Sequence, residues 1–154
     1  MLKKGDKAPD FTLPDENGKP VSLQSLLSEG PLILYFYPSD FTPVCTREAC
    51  GIRDIHDEIE EVGIQVVGVS PQSEESHQRF RDKYALPFKL LNDRKKQAIK
   101  AFGVDGPLGI GVRRATFLIS QDGRIENRVV SDLFAGNHID FVRKVIDEQG
   151  KPAE

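Results

Sequence analysis

Apolar residues follow two rhythms along this chain, and the changes of rhythm divide it into elements. Leu32-Ile33-Leu34-Tyr35-Phe36-Tyr37 is an unbroken apolar run, the pattern of a strand covered on both faces. After a polar junction, Ile52, Ile55, Ile59 and Val62 recur at intervals of three and four with acids on the opposite face. That spacing predicts a helix, with Gly63 as its stop. Residues 64–69, Ile-Gln-Val-Val-Gly-Val, return to strand, so the three segments form a strand–helix–strand unit whose strands run parallel.

The same reading extends to both ends. Residues 9–23 predict a hairpin, Phe11-Thr12-Leu13 against Val21-Ser22-Leu23 about a turn at Asn17-Gly18. A short helix over 23–27 leads to Gly30-Pro31. Ser73, with Glu74 and Glu75, opens a helix that runs to about Tyr84. Residues 87–91 predict a short strand, and Asp93 caps a helix through Ala98, Ile99 and Phe102. The glycine-rich residues 103–113 form a loop at or near the functional site. Thr116-Phe117-Leu118-Ile119 and residues 125–130 flank Gln121-Asp122-Gly123, a second hairpin. Ile139, Val142, Val145 and Ile146 make the apolar stripe of a last helix, and the tail from Gly150 frays. Strands alternating with helices, then a late hairpin, predict one α/β domain over residues 2–154.

Composition narrows the function. The chain has 154 residues, 29% of them charged, and a net charge of −3 without a basic run, which argues against nucleic acid and anionic membranes as partners. The longest apolar run has six residues, too short to span a bilayer. Met1-Leu2-Lys3-Lys4-Gly5-Asp6 has no apolar segment of a signal peptide, and two cysteines suit a reducing compartment, so the expected location is the cytoplasm.

Both cysteines sit at the strand-to-helix junction. Thr42 suits an N-cap and Pro43 the first helical position, which places Cys45 third in the helix. An anion there meets unpaired N–H groups and the positive end of the helix dipole, forces that favour thiolate over thiol. Cys50 follows five residues later, a rise of roughly 7.5 Å and a turn of about 500°. Their Cα atoms then stand about 8–9 Å apart, beyond the ~7 Å limit for a disulfide, so the pair bonds only if the first turns unwind.

Pro38-x-x-x-Thr42-x-x-Cys45, with Cys50 five residues on, resembles the active-site stretch of the peroxiredoxins, and the second cysteine at this spacing is similar to the Q-type subgroup, the bacterioferritin comigratory proteins. The likeness extends to Gly5-Asp6-Lys7-Ala8-Pro9-Asp10-Phe11 and to Arg114-Ala115-Thr116-Phe117-Leu118-Ile119; Val44 departs from it, standing where many members carry Gly. The resemblance implies a thioredoxin-like fold, a central mixed sheet flanked by helices with an N-terminal β-hairpin, in which strand 115–119 runs antiparallel beside strand 32–37 and brings Arg114 to Cys45. It implies a thiol-dependent peroxidase acting on hydrogen peroxide and organic hydroperoxides. Cys45 would be the nucleophile and Cys50 the resolving cysteine, joined in a transient intramolecular disulfide. Thr42 and Arg114 would bind the peroxide and Pro38 would shape the pocket. Thioredoxin or a glutaredoxin would be the reductant, no metal, haem or flavin would be needed, and the chain would act as a monomer.

Competing readings attach to several residues. Arg113 rivals Arg114, since alternation along a strand turns one to the site and the other to solvent; the family's arginine stands two residues before a Thr or Ser, as Arg114 does before Thr116. Glu48, one turn past Cys45, pairs with a cation or holds the helix start, and as a general base it is superfluous to a thiolate. Asp57, Glu58, Glu60 and Glu61 read as a solvated helix face. Zinc is disfavoured because Cys-x₄-Cys lies outside the usual spacing and His56, His77 and His138 form no spaced pair. A general thiol–disulfide oxidoreductase would want Cys-x-x-Cys, which is absent. A non-enzymatic binding domain would leave the Thr-Pro-x-Cys start and Arg114 without a purpose.

Overall fold

The structure, a computed structural model, describes residues 1–149, so the expected fraying from Gly150 lies outside the described residues. At the N-terminus β1 (Thr12–Pro14) pairs antiparallel with β2 (Pro20–Ser22), and α1 (Leu23–Leu27) follows without a gap. Asp15 ties the hairpin turn, its carboxylate accepting the N–H groups of Asn17 at 2.9 Å and Lys19 at 3.0 Å. The chain then runs through β3 (Leu32–Phe36), α2 (Pro43–Asp54), α3 (His56–Glu61), β4 (Gln65–Ser70), α4 (Glu74–Tyr84), β5 (Lys89–Asn92), α5 (Gln97–Ala101), β6 (Ala115–Ile119), β7 (Ile125–Val130) and α6 (Ala135–Gln149).

Five strands form one mixed sheet in the order β5-β4-β3-β6-β7. β4 lies parallel to both β3 and β5, while β6 lies antiparallel to β3 and β7. Every residue of β3 and β6 is buried, as unbroken apolar runs require when helices cover both faces. Leu32, Leu34 and Phe36 pack with α1 and α5; Ile33 and Tyr35 face the opposite way, toward α2, α3, α4 and α6. Tyr35 sits beside Gly68 of β4, and a Cβ added there would come within 2.8 Å of the tyrosine ring, so glycine at this position makes room for it. No helix among the described residues is long and apolar enough to cross a membrane.

Four local expectations need correction. The helix read through Ile52, Ile55, Ile59 and Val62 breaks at Ile55, where φ −112° and ψ 11° leave the helical region. No Gly or Pro marks the break, and Ile52, Ile55 and Ile59 stay buried on one face across it. Strand β5 starts at Lys89, because Pro87 has no N–H for the ladder and the Phe88 carbonyl accepts from Arg81 Nε at 3.0 Å. The backbone cap of α5 is Lys96, in a left-handed conformation, but Asp93 still serves the helix start by accepting the N–H groups of Gln97 at 2.7 Å and Ile99 at 2.8 Å. In α6 Val142 and Val145 are buried while Ile139 and Ile146 are half-buried, and the inner face also carries His138 and Phe141. The stop at Gly63 is found as expected. Its φ of 76° lets Gly63 N–H reach Glu60 O at 2.9 Å and Ile64 N–H reach Ile59 O at 3.3 Å.

Candidate active site

The junction between β3 and α2 is built by a strained turn. Phe41 has φ 65°, a conformation that costs a non-glycine residue about 1–3 kcal/mol. It is held there by edge-on contact with Phe80, ring centroids 5.1 Å apart, and by Lys83 Nζ 5.9 Å from its ring. Asp40 anchors the same turn from beneath. Its carboxylate accepts from Tyr37 OH at 2.6 Å and Ser76 Oγ at 2.7 Å, and meets His77 Nδ1 at 2.8 Å. The other nitrogen of His77 meets the Leu91 carbonyl at 3.1 Å, so the ring is held at both ends by oxygen atoms.

Thr42 is the backbone N-cap of α2 and Pro43 the first helical residue. The Thr42 hydroxyl makes no cap bond, however; it donates to the Ser39 carbonyl at 2.9 Å and so closes the turn. The first intrahelical bond runs from Thr46 N–H to Thr42 O at 2.8 Å, which leaves the N–H groups of Val44 and Cys45 without a helical acceptor. Cys45 lies in that first turn, with 1% of its surface exposed.

Arg114 arrives from the neighbouring strand. The register Phe36 opposite Ala115 sets the end of β3 beside the start of β6, and Arg114 is the residue just before that start. Its Nη1 donates to Cys45 Sγ at 3.0 Å and to Glu48 Oε1 at 3.2 Å, and its Nε donates to the Asp132 carbonyl at 3.2 Å. Burial alone would lower the Arg114 pKa, but its interactions with Cys45 and Glu48 overcome it and hold the guanidinium above its ordinary value. Arg113 points outward to pair with Asp132 at 2.9 Å, and that hydrogen bond holds the Asp132 carboxyl below its usual range.

Glu48 has no exposed surface. Burial pushes its pKa up to about 8, although Arg114 pulls the other way. Its Oε2 stands 3.3 Å from Nδ1 of His138, a histidine whose own pKa burial lowers. Pro38 lines a cleft of ≈ 460 Å³ with Ile110, Arg113, Arg114 and Asp132, so the 103–113 loop does border the site. Val44 lines a second cleft with Leu133 and Phe134, both exposed. Cys50 is half-buried on α2, and both cysteines are free.

The structure therefore gathers Pro38, Thr42, Cys45 and Arg114 at one junction and sets Cys50 five residues along the same unbroken helix. Sequence reasoning missed two groups that complete the surroundings: the Asp40–His77 pair under the turn, and His138 behind Glu48. His77 and His138 each sit in a helical pattern whose neighbours gave no hint of the partner across the fold. His56, Asp57 and Glu60 bring potential ligand atoms within 4.8 Å of one another, but both acids are exposed on one turn of α3 and fit a solvated helix face. Chemically, the junction offers a buried sulfur beside a permanent cation and free backbone donors, a setting for an anionic nucleophile and for negative charge that develops next to it.

Residues 4–128 match the AhpC/TSA family. Peroxiredoxin Bcp of Escherichia coli (strain K12) is 41% identical over 153 residues, 96% of this chain and 97% of that protein. Among solved structures, peroxidoxin BcpB of Mycobacterium tuberculosis superposes with a TM-score of 0.89 at 36% identity, covering 96% of this chain and 98% of that one. Peroxiredoxin Q of Xanthomonas campestris gives a TM-score of 0.83 at 28% identity, with 92% of each chain covered. The resemblance seen at the cysteine junction and the mixed α/β architecture it implied are both borne out: the chain belongs to the AhpC/TSA family, among the peroxiredoxins of the Bcp and Q type.

Proposed function

We propose that the chain is a thiol-dependent peroxidase of hydrogen peroxide and organic hydroperoxides, with Cys45 as its nucleophile. The observation that carries this reading is the Arg114 Nη1 donor 3.0 Å from a buried Cys45 Sγ at a helix start. The Cys45 thiolate attacks one peroxide oxygen; the S–O bond forms as the O–O bond breaks. The leaving oxygen departs as an anion, steadied by Arg114 and the N–H groups of the first turn, and takes a proton from solvent. Thr42 keeps its backbone role and turns its hydroxyl to peroxide only by leaving Ser39, while Pro38 walls the approach along the cleft.

Cys45 is left as a sulfenic acid. The Cys50 thiol then attacks its sulfur, an S–S bond forms and water departs, which stops further oxidation. A dithiol donor, thioredoxin or a glutaredoxin, reduces that disulfide and restores both thiols. A single domain acting as a monomer in the reducing cytoplasm fits a cysteine pair contained within one helix.

The test is the rate at which reduced protein forms its disulfide with one equivalent of hydrogen peroxide, quenched by alkylation and read by intact mass. Loss of both alkylatable thiols orders of magnitude faster than oxidation of free cysteine is expected. Cys45→Ser abolishes it. A rate equal to that of free cysteine, or peroxidase activity retained by Cys45→Ser, overturns the reading.

A further inference from the structure

Behind Cys45 and Arg114 lie two fully buried titratable groups that the reaction above leaves idle. Glu48 Oε2 stands 3.3 Å from His138 Nδ1, and neither side chain has exposed surface. The other ring nitrogen, Nε2, lies 2.8 Å from the Ser131 carbonyl, which can only accept, so Nε2 carries the ring proton. In a neutral ring Nδ1 is then a lone pair, turned to Thr116 Oγ1 at 2.8 Å with Glu48 Oε2 beside it at 3.3 Å. No donor from the described residues reaches Oε2. An ionised Glu48 would set lone pair against lone pair in a dry pocket, and one added proton removes the conflict.

We propose that Glu48 holds a proton on Oε2, facing His138 Nδ1, and that this neutral pair leaves the charge of Arg114 undivided for Cys45. The inference rests on Cys45 being the nucleophile. Arg114 Nη1 serves Sγ at 3.0 Å and Glu48 Oε1 at 3.2 Å. Against a carboxylate the guanidinium is split between two anions; against a carboxylic acid it serves the thiolate and then the oxygen that gains charge. His138 and Glu48 are thus positioning residues that act through Arg114.

The groups around the pair agree with this placement. Thr116 of β6 offers a hydroxyl that shares the Nδ1 lone pair, and Asp132, in the loop after β7, is already occupied by Arg113 and Arg114. Burial raises the pKa of Tyr35 of β3 well above its ordinary value, so it stays a neutral phenol. Burial pushes Glu48 up to about 8 and His138 down, and both shifts leave the proton on the carboxyl at neutral pH. Once that proton leaves, Arg114 is divided and attack on peroxide slows.

Infrared spectra of the reduced full-length protein read the proton directly. At pH 7 the wild type should show the carbonyl stretch of a protonated carboxyl that Glu48→Gln lacks and that fades as pH rises through about 8. Single-turnover reaction with hydrogen peroxide should slow about tenfold between about pH 7 and about pH 9.5, a modest share of one charge-stabilising donor, and Glu48→Gln should flatten that limb. His138→Gln, whose amide donates to Oε2 and favours the carboxylate, should weaken the band at pH 7 and move the slowing at least about one pH unit lower. A purely structural role for His138 moves neither. A wild-type spectrum at pH 7 without a Glu48 band, or an alkaline slowing that survives Glu48→Gln, overturns the proposal. A band present without any fast peroxide reaction supports the proton's place and refutes the peroxidase reading instead.

Discussion

Arg114 Nη1 lies 3.0 Å from Cys45 Sγ, although 69 positions separate the two residues in the chain. The contact exists because β6 runs antiparallel beside β3, so the start of one strand meets the end of the other. The next residue back, Arg113, is turned outward by strand alternation and spends its charge on Asp132 at the surface. Two adjacent arginines therefore have unequal weight. Arg114→Lys exchanges a fixed fork of donors for a single ammonium and should lower the single-turnover rate with hydrogen peroxide by about 10²-fold. Arg113→Lys alters only an exposed ion pair worth about 0–1 kcal/mol and should stay within about twofold. Equal losses in the two variants would show that Arg114 has no special place beside the sulfur.

Much of this arrangement is legible in the sequence, and the reason differs by residue. The helix start at Thr42 and Pro43 is local chemistry, so it can be read from a few neighbours. The unbroken run 32–37 announces a strand covered on both faces. The approach of Arg114 to Cys45 is not local; it came from the resemblance, and periodicity alone gives no strand order. Glu48 facing His138 joins two helices, and Asp40 facing His77 joins a turn to a helix; both are invisible because the partner lies far along the chain. The break at Ile55 has no glycine or proline to announce it, and the buried face runs on across it through Ile52, Ile55 and Ile59.

Glu48 also predicts a pH dependence of stability. Its folded pKa is about 8 against an ordinary 4.5, so between these values the native chain keeps a proton that the unfolded chain releases. The stabilisation is fully present below about pH 4.5 and is lost as pH rises through about 8, a span worth a few kcal/mol at about 1.4 per unit. Glu48→Gln keeps the shape, still accepts from Arg114 and cannot ionise. Urea unfolding should therefore favour the variant progressively more from pH 5 to pH 8. A constant difference across that range would mean that Glu48 is not held as the acid.

The Asp40 pair supports the strained turn before the helix. Asp40→Ala would leave the buried His77 Nδ1 and two hydroxyls without their shared partner. Unpaired buried polar groups cost about 1–3 kcal/mol each, so the three together cost about 3–5 kcal/mol or more. For a chain of this length that corresponds to a fall in Tm of roughly 10 °C, readable by calorimetry. A shift of only about 2 °C would place the network among dispensable contacts, worth less than about 1 kcal/mol.

The disulfide step asks most of the fold. Cys45 and Cys50 lie on one unbroken helix, Pro43–Asp54, and Ala49 and Ile52 of that helix have no exposed surface. A disulfide needs its Cα atoms within about 7 Å, whereas five helical steps set them about 8–9 Å apart. Closing the bond must therefore break the first turns, beginning with the bond from Thr46 N–H to Thr42 O. Amides over residues 46–50 should be protected from hydrogen exchange in the reduced protein and exchange freely in the oxidised one, while those of β3 stay protected in both. Cys50→Ser, treated with the same peroxide, should keep the protected helix, because Cys45 then has no partner to reach and continues toward sulfinic acid. Equal protection of residues 46–50 in both redox states of the wild type would rule out a bond between these two cysteines and send the search for the resolving thiol to a second molecule.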